Sequence, residues 1–108
     1  MGEAMEITAE ELKARLTSGS RVTLVDVREP WEWDLCHLEG ARHIPMGEIP
    51  VRYLELEPED EVVVYCHVGQ RSAMVVEHLR RLGFQKAVNL RGGIEAWARQ
   101  VDPTLRRY

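Results

Sequence analysis

The chain has 108 residues, 44% hydrophobic and 30% charged, which is the length and balance of one globular domain with a single core. Fourteen Lys and Arg against eighteen Asp and Glu leave a net charge of −4. That argues against nucleic-acid or anionic-membrane partners, because phosphate affinity needs a surplus of positive charge. The longest apolar runs, such as Val62 to Cys66, are far too short to cross a bilayer. Met1-Gly2-Glu3-Ala4-Met5-Glu6 carries acids where a secretory signal carries bases and an apolar stretch, so a cytoplasmic, reducing location is expected. Cys36 and Cys66 are then expected as thiols.

Thr8-Ala9-Glu10-Glu11 forms a capping box, and Leu12 and Leu16 follow at helical spacing, which predicts a helix over residues 9–17. The β-branched run Val22 to Val27 predicts a strand buried on both faces, ended by Glu29-Pro30. A short amphipathic stretch with Trp31, Trp33 and Leu35 precedes a brief extended segment, Arg42 to Pro45. Residues 47–55 suggest one or two helical turns, with Pro50 at a helix start. Glu61 to Tyr65 is a second buried strand, and Ser72 to Leu82 a helix with Met74, Val75, Leu79 and Leu82 on one face. Ala87 to Leu90 is a third strand, Arg91-Gly92-Gly93 a loop, and Ile94 to Arg99 a last short helix. Strands separated by helical crossovers predict an α/β domain of three layers, with a parallel sheet between helices. No linker or repeat divides residues 1–108, and the core is expected over about 5–100.

In such sheets ligand sites gather beyond the carboxyl ends of the strands. Cys66 stands at one of these ends, followed by a loop with Gly69, then Arg71 and a helix. Backbone N–H groups, the positive end of a helix dipole and the Arg71 charge together favour thiolate over thiol, and the thiolate is the nucleophile. The same donors suit an anionic substrate.

Four segments now carry a resemblance: Leu24 to Glu29; His37 to Pro45; the loop Cys66 to Arg71; and Leu90 to Trp97. In this order and spacing the chain resembles single-domain rhodanese-like sulfurtransferases. The resemblance implies a five-stranded parallel sheet and a Cys66 that accepts a sulfane sulfur as a persulfide. The donor would be a small sulfur-containing anion such as thiosulfate, the acceptor cyanide or a thiol, and a sulfur-delivering protein is a further conceivable partner. Backbone N–H groups of His67, Val68, Gly69, Gln70 and Arg71 would cradle the terminal sulfur, with Arg71 supplying charge. The resemblance also puts Arg28 among the substrate-binding residues with Asp26 in support, although the two residues by themselves read as a salt-bridged strand end. Thiosulfate-active members often carry Arg directly after the cysteine, where this chain has His67, and Cys36 replaces a common Gly.

Cys36 reads as packing, since nothing near it resembles an activating loop. Trp31 and Trp33 divide between core and surface, and Trp97 reads as core. His37, His43 and His78 read as structural or solvated. The two Cys-His dipeptides lack zinc-site spacing, so neither metal nor cofactor is expected. Arg106-Arg107-Tyr108 reads as a solvated basic tail. Two other functions compete. A cysteine phosphatase or arsenate reductase would want Cys-x5-Arg, but Arg71 makes the loop Cys-x4-Arg, a tighter cradle suited to one sulfur atom. A non-catalytic rhodanese-like binding or regulatory module would more often lack the cysteine, which is present here.

Overall fold

The computed structural model describes residues 5–108; of the acidic opening read over Met1 to Glu6, residues 1–4 lie outside them. Five parallel strands form one sheet: β1 (Glu6–Ile7), β2 (Val22–Asp26), β3 (Arg42–His43), β4 (Glu61–Tyr65) and β5 (Val88–Leu90), in the spatial order β1-β5-β4-β2-β3. The helices are α1 (Ala9–Thr17), α2 (Pro30–Leu35), α3 (Ile49–Arg52), α4 (Gln70–Arg81) and α5 (Gly93–Gln100). Short 3₁₀ turns at Met46–Glu48 and Tyr53–Glu55 flank α3.

Alternation along the central strands sorts side chains to two cores. Val25, Val27, Val62 and Val64 pack with Cys66 against Ile49 of α3 and Val75, Val76 and Leu79 of α4. Leu24, Val63 and Tyr65 face the other way, toward Leu12 of α1 and Ile94 of α5. The three-layer α/β architecture expected from the sequence is what the chain adopts. The Thr8 capping box is formed on both sides, with Thr8 N–H to Glu11 at 2.9 Å and Glu11 N–H to Thr8 Oγ1 at 3.0 Å. Pro30 opens α2, where its fixed φ and missing N–H cost nothing.

Some local readings need correction. The two-residue strand β1 has no sequence signature of its own and is held by pairing Glu6 with Asn89 and Ile7 with Leu90. In α4 the buried row is Ser72, Val75, Val76 and Leu79, whereas Met74 is 61% and Leu82 39% exposed. The buried row runs at i, i+3, i+4 and i+7, and Met74 falls on nearly the opposite face of the helix. Trp97 is half-buried rather than core, Trp31 is exposed, and Trp33 is half-buried between the rings of His37 and His43.

The chain leaves β2 toward β3 on one side and β4 toward β5 on the other. The crevice between the carboxyl ends of β2 and β4 is therefore a topological switch point, where ligand sites form in open α/β sheets.

Candidate active site

Cys66 directly follows β4, the middle strand of the five, and is 1% exposed. Its Sγ accepts the Gly69 N–H at 3.1 Å and the Ser72 N–H at 3.4 Å, while Ser72 Oγ lies 3.2 Å away. Of the N–H groups expected from His67 to Arg71, that of Gly69 reaches the sulfur, and a further donor comes from Ser72, one residue past that span. Gly69 adopts φ +105°, a conformation that costs little only in glycine, and caps α4. This turn aims the first N–H groups of a twelve-residue helix at the sulfur.

The loop is braced from behind. Ile94 N–H donates to the Cys66 carbonyl at 2.9 Å, and Glu95 N–H to the His67 carbonyl at 3.1 Å. The start of α5 therefore takes up the carbonyls of Cys66 and His67 and holds them on the side away from the sulfur's donors. Gly93 makes this approach possible, since a Cβ there would lie 2.4 Å from the His67 oxygen and 2.6 Å from the Cys66 oxygen. The Gly92-Gly93 pair read as a loop is thus a packing surface for the site.

Ser72 was not singled out by its sequence and proves central. Its Oγ sits 2.5 Å from Asn89 Oδ1, and Asn89 Nδ2 donates to the Gly69 carbonyl at 3.0 Å. Asn89 is thereby fixed with its oxygen toward Ser72 and takes the single Ser72 hydroxyl proton, which leaves the Ser72 Oγ lone pairs facing the Cys66 thiol. The only available signals were a serine directly after Arg71 and an asparagine inside a buried strand.

Arg71 stands differently from expectation. Its guanidinium makes a two-pronged pair with Glu32 of α2, at 2.8 and 2.9 Å, so its charge is shared with a carboxylate across the switch-point crevice. Glu32 is 3% exposed. Burial works against its carboxylate, but hydrogen bonds from Arg71, Tyr108 and the Glu29 N–H outweigh it and hold the group at about 2. The pairing with Glu32 raises Arg71 above its ordinary range, against a smaller effect of burial.

Arg28, expected among the substrate-binding residues, is enclosed in the structure with its donors engaged by the protein itself. It is 0% exposed, and its donors go to Asp26 at 2.7–3.1 Å, the Cys36 carbonyl at 2.6 Å and the Tyr108 hydroxyl at 2.9 Å. Burial opposes the charge, yet the Asp26 and Tyr108 contacts raise Arg28 well above its usual range. The salt-bridged strand end is the reading that holds for Asp26 and Arg28. Val68 and Gln70 are exposed at the outer rim of the loop and His67 is half-buried. Cys36 lies 9% exposed in the apolar cluster with Leu24 and Leu38.

The basic tail is also corrected. Arg107 pairs with Glu95, and the Tyr108 ring stacks on His67 with centroids 3.9 Å apart and planes 11° apart. Among the described residues no group of three or more His, Cys, Asp or Glu could hold a metal ion, and no helix is long and apolar enough to cross a membrane.

A buried cysteine thiol at the end of the middle strand, receiving the Gly69 and Ser72 N–H groups at the head of the next helix, defines a class of α/β domain that seats one cysteine sulfur at its switch point. The chain belongs to the rhodanese-like domain family, whose model matches residues 8–100. It is 42% identical over 100 residues to a sulfurtransferase of Allochromatium vinosum, covering 93% of this chain and 94% of that one. It is 43% identical over 104 residues to MoeZ of Mycobacterium tuberculosis, a probable adenylyltransferase/sulfurtransferase. That match covers 94% of this chain but spans only 26% of the mycobacterial protein's length. A crystal structure of a rhodanese-like domain protein from Staphylococcus aureus superposes with a TM-score of 0.83 at 36% identity, covering 95% of this chain and 97% of the other.

Proposed function

We propose that the protein is a sulfurtransferase that carries sulfane sulfur as a Cys66 persulfide. The observation that carries this reading is the convergence of the Gly69 and Ser72 N–H groups on Sγ at the head of α4. Donors already placed on a thiol sulfur can stabilise the anionic persulfide without reorganising. The named sulfurtransferase relative, matched over nearly its whole length, supports the same chemistry.

With thiosulfate as donor, the Cys66 thiolate attacks the outer sulfur, the sulfur–sulfur bond breaks, and sulfite leaves with the electron pair. An acceptor, cyanide or a thiolate, then attacks the outer sulfur of the persulfide and releases the Cys66 thiolate. The inward N–H groups from His67 to Arg71 bind the terminal sulfur, and a small thiol or a sulfur-delivering protein approaches over the exposed rim at Val68 and Gln70. Arg71 acts mainly by anchoring the end of the loop to Glu32. That pairing also weighs against a phosphatase, in which the loop arginine must be free to grip phosphoryl oxygens. The test is intact-protein mass spectrometry after incubation with thiosulfate or an organic persulfide. One added sulfur, mapped to Cys66 and removed by cyanide, supports the proposal; a chain that takes sulfur from neither donor overturns it.

A further inference from the structure

Tyr108 lies eight residues beyond the last position of the family match, yet it makes more polar and aromatic contacts around the Cys66 loop than any residue between. Its ring stacks on His67, the residue directly after Cys66, and meets Trp31 edge-on at 5.8 Å. Its hydroxyl donates to Glu32 Oε2 at 2.7 Å and accepts from Arg28 Nη1 at 2.9 Å. The same Glu32 oxygen accepts from Arg71, the last residue of the loop, at 2.9 Å.

We propose that Tyr108 is a positioning residue for the Cys66 loop, a clasp joined to its first residue through the His67 ring and to its last through Glu32 and Arg71. Ordinary surface packing would not produce this set of contacts. The two polar partners of the hydroxyl are buried, Glu32 at 3% and Arg28 at 0% exposure, so water does not compete for them. The hydroxyl has one proton, and the two partners demand opposite roles, a carboxylate acceptor and a guanidinium donor, so its orientation is fixed. Burial and the Glu32 carboxylate push the Tyr108 phenol up to about 12, which keeps that proton in place throughout the neutral range. Arg107 adds a second attachment through Glu95, the residue whose N–H holds the His67 carbonyl. His67 is thus held by its backbone from α5 and by its ring from Tyr108. Cys66 lies at 1% exposure beneath the loop that this clasp holds.

The transfer arm of the test rests on the sulfur-carrier reading; the alkylation arm does not. In the full chain, Tyr108→Phe keeps the stack and loses the hydroxyl, and Tyr108→Leu loses both. Cys66 is alkylated with a small reagent, iodoacetamide, and a bulky one, N-ethylmaleimide, in a Cys36→Ser background. The thiolate fraction cancels in the ratio of the two rates, so the ratio reads access alone. We expect the bulky-to-small ratio to rise about tenfold in Tyr108→Leu and about threefold in Tyr108→Phe. The lifetime of the Cys66-bound sulfur is expected to shorten in the same order. Ratios and lifetimes equal to wild type in Tyr108→Phe and Tyr108→Leu overturn the clasp. If Tyr108→Leu does not fold, Tyr108→Phe decides: a wild-type ratio overturns the proposal and a raised one supports it. A wild-type chain that never acquires sulfur overturns the sulfur-carrier reading, while the alkylation ratios still decide the clasp.

Discussion

Cys36-His37 and Cys66-His67 are alike in sequence, in the burial of both sulfurs, and in the ring each histidine stacks on, Trp33 for His37 and Tyr108 for His67. They differ in which end of a helix they face. Cys36 closes α2, where the backbone presents carbonyls: its own N–H is spent on Glu32 at 3.3 Å and its carbonyl on Arg28 at 2.6 Å. The carboxyl end of a helix offers acceptors and partial negative charge, and no N–H donor for a sulfur. Cys66 instead precedes α4 and receives N–H groups. The same dipeptide thus meets backbone carbonyls at one helix end and backbone N–H donors at the other, and on the proposed function that difference separates a scaffold cysteine from a sulfur carrier.

The sharpest attempt to break this contrast exchanges each sulfur for oxygen. Cys66→Ser is expected to abolish sulfur loading, and Cys36→Ser to retain most of it, by mass spectrometry and cyanide assay. Comparable losses would make Cys36 a relay thiol and end the distinction. Next, Asp26→Ala attacks the scaffold turn by stranding the buried Arg28 charge that holds the Cys36 carbonyl. It is expected to cost about 3–5 kcal/mol in urea unfolding, a large part of the stability of a domain this size. The surviving folded fraction should still load sulfur on Cys66; a stable but inactive variant would show that the Cys36 turn belongs to the chemistry.

One residue inserted between Gln70 and Arg71 lengthens the reactive loop to Cys-x5-Arg and moves its donors. A loss on the order of a hundredfold in sulfur transfer is expected from a displacement of about an ångström. Full activity would show that loop length does not select the reaction, and an aryl phosphate assay on the same variant tests whether it admits larger anions. Smaller still, Arg71→Ala leaves the Glu32 charge facing the loop uncompensated and is expected to slow iodoacetamide alkylation of Cys66 several-fold at neutral pH. Superimposable pH–rate profiles would show that Arg71 only anchors the loop. The smallest effect is on stability against pH. Glu32 sits at about 2 against an ordinary 4.5, so its contribution is complete above pH 4.5 and fades as pH falls toward 2. The urea midpoint of wild type minus that of Glu32→Gln should shrink across this window; a constant difference would mean the pairing does not depend on ionisation.

Much of the scaffold was legible because its signals are local. The Thr8–Glu11 box, Pro30 at a helix start, the β-branched run from Val22 and the glycine after Cys66 each state a conformational preference within a few residues. The setting of Cys66 was legible for the same reason, since strand, glycine and helix follow one another along the chain. What stayed hidden is pairing at long range. Nothing near Arg71 reveals that Glu32, 39 positions earlier, will take its charge. Nothing near Arg28 announces that Tyr108, 80 positions later, will share its site. Ser72 looked like an ordinary helix residue, because its importance lies in Asn89 on a neighbouring strand. Met74 misled for the opposite reason: its chemistry is apolar, but the helix's packing row runs through Ser72 instead.

The close approach of Gly93 to the loop carbonyls has a consequence for how the site responds to a changing load. A sulfur centre that gains and loses an outer atom alternates between environments of different charge and size, and a free loop would rearrange at each exchange. Here the peptide planes of Cys66 and His67 are seated on the first turn of α5 with no room for even a methyl group between them. On the proposed function the dipoles are cast in place before the sulfur arrives, so the reorganisation energy of each half-reaction would fall on the small partners and the solvent, and little of it on the protein.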